Sequence, residues 1–115
     1  MSAGLYDIWK LERRGWLDGP QRISHVASDG LVVPPDPMPI QTFEGLRADA
    51  ERAEAFTELR FEERHFVQHG DTVVIAYVAS AKHRRYRRRY RARCTSTFVR
   101  DGQGWTCIAH SHARV

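Results

Sequence analysis

The sequence predicts an α+β domain. It is cone-shaped, with a strongly curved antiparallel sheet of about four long strands plus a short one, wrapped around two to three N-terminal helices. Three observations predict it. Apolar residues recur at helical spacing over residues 3–17, where Leu5, Ile8, Trp9, Leu11 and Trp16 make one broad face. From Phe56 onward the residues fall into blocks of strand length with a two-residue period or a continuous apolar run. Short turn sequences, His69-Gly70-Asp71 and Asp101-Gly102-Gln103-Gly104, join these blocks into a meander.

At 115 residues the chain makes one domain, 1–115, able to bury one modest core. With 42% hydrophobic and 28% charged residues, its composition is globular rather than disordered. The net charge is +4, but 8 of the 18 basic residues lie between Lys82 and Arg93, so the basicity is local. No apolar run reaches the ~18 residues of a membrane span. The N-terminus Met-Ser-Ala-Gly-Leu-Tyr-Asp lacks the basic start and apolar core of a secretory signal. Two cysteines without such a signal fit free thiols in a cytoplasmic protein.

The first helix ends at Gly19-Pro20, with Lys10, Glu12, Arg13 and Arg14 largely opposite its apolar face. Residues 20–30 are weakly patterned, and Ile23, Val26 and Ala27 suit a short helix. Leu31-Val32-Val33 is a short strand, stopped by four prolines in the six residues 34–39. Thr42 can cap a helix from Phe43 to about Ala53. Strands follow at Thr57–Gln68, Thr72–Ala81, Arg88–Arg100 and Trp105 to about Ala113. The second of these is apolar on both faces and therefore central.

Residues Arg84–Arg93 hold seven arginines in ten, with Tyr86 and Tyr90 between them. Charge with stacking planes could serve single-stranded nucleic acid. The alternation of Arg91 and Arg93 with Tyr90, Ala92, Cys94, Ser96 and Phe98 points instead to a hairpin tip entering a two-faced strand. The arginines then meet water, or pair across a dimer with Glu51, Glu54, Glu58, Glu62 or Glu63.

A hairpin closing with Asp101 opposite Gly104 pairs Phe98 with Cys107, Ser96 with Ala109, Cys94 with Ser111, Thr95 with His110 and Arg93 with His112. One face is small and mostly apolar: Ala92, Cys94, Ser96, Phe98, Cys107, Ala109 and Ser111. It suits the concave side, covered by helices, with room for a cavity. The other carries Arg91, Arg93, Thr95, Thr97, Ile108, His110 and His112, which are the candidate dimer-face residues. Cys94 and Cys107 are then ~13 Å apart, too far for a disulfide.

Candidate chemistry is sparse. His110 and His112 share a strand face, but spacing fixes no third ligand, so no metal is expected. Neither cysteine has a predicted base beside it, so both should be inert thiols. Glu63 and His65 could transfer protons inside the cone if the turn at 69–71 has three residues. With a two-residue turn, Glu62 and Arg64 point inward instead. No glycine-rich phosphate loop is present, and no cofactor is expected.

Several stretches carry a family resemblance: Leu11-Glu12-Arg13-Arg14-Gly15-Trp16, Val32-Val33-Pro34 with Met38, His69 to Tyr77, Thr95 to Gly102, and Gly104 to His110. In this order and spacing the chain resembles the nuclear-transport-factor-2-like superfamily. The resemblance is to its small bacterial branch of unknown function, near the ketosteroid-isomerase-like and SnoaL-like members. It implies the cone fold, a pocket between helices and concave sheet, and homodimers through the convex sheet face. The long second helix of that family is shortened here to Gly19-Pro20-Gln21-Arg22. The isomerase-type aspartates are unmatched, with Val33 and Ser96 standing near those places, so no catalytic residue is carried over. The candidate pocket-lining residues are Trp9, Trp16, Phe43, Tyr77, Tyr90, Cys94, Ser96, Phe98, Cys107 and Ser111. The expected function is a homodimeric small-molecule-binding domain of undefined activity. The alternatives are an isomerase- or cyclase-type enzyme on a small apolar substrate, and anion or nucleic-acid binding through the Arg84–Arg93 hairpin. Partners are a second copy and an unidentified small molecule, with no membrane and no nucleic acid expected.

Overall fold

In a computed structural model, residues 2–17, 26–35, 37–49, 56–83, 89–102 and 104–115 are described. The chain is α+β. Helix α1 (Ser2–Leu17) is followed by strands β1 (Val26–Val33) and β2 (Gln41–Thr42), helix α2 (Phe43–Asp49), and strands β3 (Phe56–His69), β4 (Thr72–His83), β5 (Arg89–Asp101) and β6 (Gly104–Arg114). The six strands form one curved, unclosed sheet in the order β2-β1-β6-β5-β4-β3. Every pairing is antiparallel except β1 with β6.

The weakly patterned stretch departs from expectation. Val26 and Ala27 belong to β1 rather than to a short helix, while Ile23 lies outside the described residues. The tip Arg84–Arg88 also lies outside them, as does the far end of the helix expected to reach Ala53. α2 starts as its sequence requires, because the Gly45 amide donates to Thr42 Oγ1 at 3.0 Å and so caps its first turn.

β4 is an interior strand, paired on both sides with β5 and β3. Its inward side chains Val73, Ile75, Tyr77, Ala79 and Ala81 are buried, and they continue into Ala92, Cys94 and Phe98 of β5 and Cys107 of β6. α1 lies against this inner face with Ile8 and Trp16 buried and Trp9, Leu11 and Leu17 partly so. Arg13 Nη1 donates to the Leu59 carbonyl at 3.1 Å, which ties α1 to β3.

Two bulges in β3 and one in β6 set which side chains of those strands face inward. The β3–β4 turn is two residues, Gly70 and Asp71, with His69 paired to Thr72. On a regular ladder Glu62 and Arg64 would then both face the helices. The β3 register shifts between Glu62 and His65, and again between Thr57 and Arg60, with Glu63 and Glu58 both at φ 50°. Arg64 does lie on the inner side, its guanidinium 5.2 Å from the Trp9 ring centre. Glu62 instead reaches Arg91 Nη1 at 3.1 Å on the outer face. Glu63 and His65 line an outer recess, so they are not a proton-transfer pair inside the cone.

The third bulge is in β6. Phe98 pairs with Cys107 as expected, but Thr97 then pairs with Ala109, leaving Ile108 as the extra residue. Every partner beyond moves by one: Ser96 lies opposite His110, Thr95 opposite Ser111 and Cys94 opposite His112. The bulge therefore swaps faces. His110 and His112, expected on the outer face, turn toward α1. Ala109 and Ser111, expected within, turn outward, where the Ser111 and Thr95 hydroxyls share a 2.6 Å hydrogen bond.

Candidate functional site

The centre of the inner face is polar. Glu12 lies on α1 one turn after Ile8 and one turn before Trp16, so it points with them at the sheet. It is 5% exposed. Its Oε2 accepts hydrogen bonds from the Tyr77 hydroxyl on β4 and, at 2.6 Å, from Ser96 Oγ on β5. His110 Nδ1 on β6 is 3.4 Å away. Burial pushes the Glu12 pKa up, but the hydrogen bond and charge of His110, with the Ser96 and Tyr77 bonds, more than offset it. The net pKa is lowered, and Glu12 is a buried carboxylate.

The cluster extends in two directions. Trp16 Nε1 donates to the Tyr77 oxygen at 2.9 Å. Ser96 Oγ lies 2.6 Å from His110 Nδ1, and His110 Nε2 lies 3.0 Å from His112 Nδ1. Around the far imidazole is a group of rings. Trp16 is 5.5 Å from His112 at 33°, Tyr90 is 6.0 Å from it, and Phe56 is 5.3 Å from Trp16. Arg114 places its guanidinium over Tyr90 at 5.4 Å. A carboxylate, a phenol, a hydroxyl and two imidazoles thus form one connected chain inside an apolar shell. Such a chain can hold a polar ligand atom, and it can hold or pass a proton.

Of the residues named from sequence, Trp16, Phe43, Tyr77, Cys94, Ser96, Phe98 and Cys107 are buried, and Trp9 and Tyr90 pack partly buried against them. Tyr77, Ser96 and Trp16 belong to the Glu12 cluster. Phe43 sits apart, between α2 and β1, and Ser111 is on the outer face. Neither thiol is activated. Burial first, and the Glu12 charge second, push Cys94 and Cys107 up to about 12 each. Both are free.

Sequence reasoning missed Glu12, His110 and His112 as inner residues. By its charge Glu12 groups with Lys10, Arg13 and Arg14 on the polar face of its helix, although the spacing Ile8–Glu12–Trp16 puts a carboxylate midway along a buried stripe.

A second recess, of about 270 Å³, is lined by Glu63, His65, Ala76, Tyr77, Val78, Arg93, Cys94, Thr95 and Ser111, most of which belong to the outer face. Among the described residues there is no group of three or more metal-ligating side chains. No helix among them is long and apolar enough to cross a membrane.

Residues 17–108 match the family model of the SnoaL-like domain. No curated protein matches the chain. Its structure is similar to that of an NTF2-like protein from Cytophaga hutchinsonii, at TM-score 0.78 and 16% identity, covering 94% of this chain and 95% of the other. It is also similar to a candidate ketosteroid isomerase from Parabacteroides distasonis, at TM-score 0.81 and 14% identity, covering 94% and 85%. An NTF2-like protein from Pseudomonas aeruginosa matches at TM-score 0.75 and 15% identity, covering 96% of each chain. At these identities the likeness is one of fold.

Proposed function

The chain belongs to the SnoaL-like domain family, and from that premise we propose that it is a homodimeric small-molecule-binding domain whose ligand meets the Glu12 cluster between α1 and the concave sheet. One observation carries this reading: an ionised carboxylate is held at the centre of an apolar core by Tyr77, Ser96 and His110. Burying such a group costs stability that an apolar side chain would not cost. Clusters of this kind are where binding and proton chemistry concentrate.

The outer face supports the dimer. Leu31, Val33 and Val67 are 54%, 40% and 50% exposed, and with Val74, Ala76, Thr97 and Ala109 they extend an apolar surface over five strands. Arg91 and Arg93 border it. A second copy would remove that surface from water.

The same cluster favours a second reading, an isomerase- or cyclase-type enzyme, because a carboxylate linked to imidazoles is a proton-transfer device. Binding is the broader claim and comes first. It is tested by thermal-shift screening of a chemically diverse small-molecule library against the wild type and Trp16→Leu. Compounds that raise the wild-type Tm and lose that effect in the variant support it. Compounds that act equally on both, or an absence of any stabilising compound, contradict it.

A further inference from the structure

The contacts of the Glu12 carboxylate all fall on one of its oxygens. The Tyr77 hydroxyl, Ser96 Oγ at 2.6 Å and His110 Nδ1 at 3.4 Å address Oε2. Among the described residues, no group donates to Oε1. An ionised carboxylate offers about four lone-pair positions and has no proton of its own. Glu12 is 5% exposed, so its Oε1 is a buried acceptor of a charged group that the protein leaves without a donor. Such an atom is costly to bury, and the cost is removed by any molecule that brings it a proton to share.

The donors of the cluster are already committed. The Ser96 and Tyr77 protons go to the carboxylate, which can only accept. The proton on His110 Nδ1 lies against Ser96 Oγ at 2.6 Å, beside Oε2. Trp16 Nε1 donates to the Tyr77 oxygen. A ketone or a carboxylate brought to this carboxylate would set acceptor against acceptor. A hydroxyl or an amine N–H would meet Oε1. Trp9 and Trp16 stand one turn to either side of Glu12 on α1, and the Trp9 ring lies 5.7 Å from both Phe61 and Tyr77. These rings would take the apolar body of the same ligand.

We infer that Glu12 Oε1 is the ligand-anchoring atom of the cone interior, and that the interior selects compact apolar molecules bearing a hydroxyl or an amine N–H over the corresponding ketones and acids. The inference rests on the proposed binding in the interior and adds the polarity of what is bound. No bond is broken; the ligand shares its proton with the carboxylate and keeps it.

Titration of the labelled full chain with cyclohexanol and with cyclohexanone, two molecules of nearly one shape, reads that polarity at the Trp16 indole signal. The alcohol should bind ~10- to 100-fold more tightly, the margin a hydrogen bond to a charged group gives. Glu12→Gln extends the test. Tyr77 and Ser96 need an acceptor where Oε2 stands, so the amide oxygen takes that place and the amide nitrogen, a donor, takes the place of Oε1. The variant should lose the alcohol's advantage and bind the ketone more tightly than the wild type does. Equal affinities in the wild type, or a preference for the ketone, overturn the inference while interior binding stands. A folded variant that keeps the alcohol's advantage overturns the role of Glu12. If Glu12→Gln does not fold, the Glu12 Cδ signal of the wild type decides, since the alcohol should move it and the ketone should not. An indole that responds while that signal stays still contradicts the assignment. Silence of the indole with both compounds also overturns it, and the library screen then judges interior binding by itself.

Discussion

Glu12 is the residue on which the interior turns. Its folded pKa lies below the ordinary 4.5, so its stabilisation is fully present above about that pH and is lost as pH falls through the depressed native value. Acid unfolding monitored by circular dichroism should therefore set in below pH ~4.5, and Glu12→Gln should flatten that limb while lowering stability at neutral pH. Glu12→Ala removes the acceptor of Ser96 and Tyr77 and the carboxylate beside His110. Loss of one member of a buried polar network costs on the order of 3 kcal/mol, and urea unfolding should show a loss of that size. A destabilisation no larger than that of an exposed glutamate would mean the cluster is solvated. At alkaline pH the sign reverses. The two thiols, ordinarily near 9.0, are held protonated up to about 12, so they favour the native state below pH 9 and that contribution fades as pH rises toward 12. Ellman's reagent should accordingly leave both thiols untouched in the native protein at neutral pH and titrate two, without reductant, in the unfolded one.

Among the elements, β6 decides the site, because Ile108 alone turns His110 and His112 inward. Deleting Ile108 should restore the regular ladder and carry both imidazoles to the outer face. Their ring resonances would then move to those of solvent-exposed histidines, and unchanged resonances would contradict the bulge. Nearby, Gly30 marks where β1 meets β6 and α2. A Cβ there would lie 2.7 Å from the Ile108 carbonyl oxygen and 2.8 Å from Phe43 Cδ2. Backbone cannot yield as a side-chain tip can, so Gly30→Ala should cost ~1–3 kcal/mol as overpacking, read as a drop in Tm. The alternation of Tyr90 to Phe98 and the turn at 101–104 made the inner face of β5 legible in the sequence, and Thr42 announced α2. The β6 bulge left no such mark. Isoleucine suits either side of a strand, and no glycine or proline flags the extra residue. The β3 bulges were equally silent, since Glu58 and Glu63 take positive φ without being glycine or asparagine. Glu12 was legible in principle, but a charged residue is assigned to the wet face of a helix until packing shows otherwise.

At the scale of the whole molecule, two surfaces compete for a ligand or partner: the cone interior and the outer sheet face. The proposed arrangement puts a small molecule in the first and another copy of the chain on the second. Val74→Glu and Thr97→Arg place charge on the outer face without touching the Glu12 cluster. Analytical ultracentrifugation should find the wild type near twice 13.3 kDa and the double variant near that single mass, with the interior histidine resonances unchanged. A wild type that stays at the single mass at every concentration removes the dimer. The most direct test of the central claim is residue-resolved NMR mapping of the compounds selected by thermal shift. Shifts concentrated on the Trp16 indole, Ser96, His110 and His112 are predicted. Shifts confined to Glu63, His65 and Thr95 around the outer recess would contradict it.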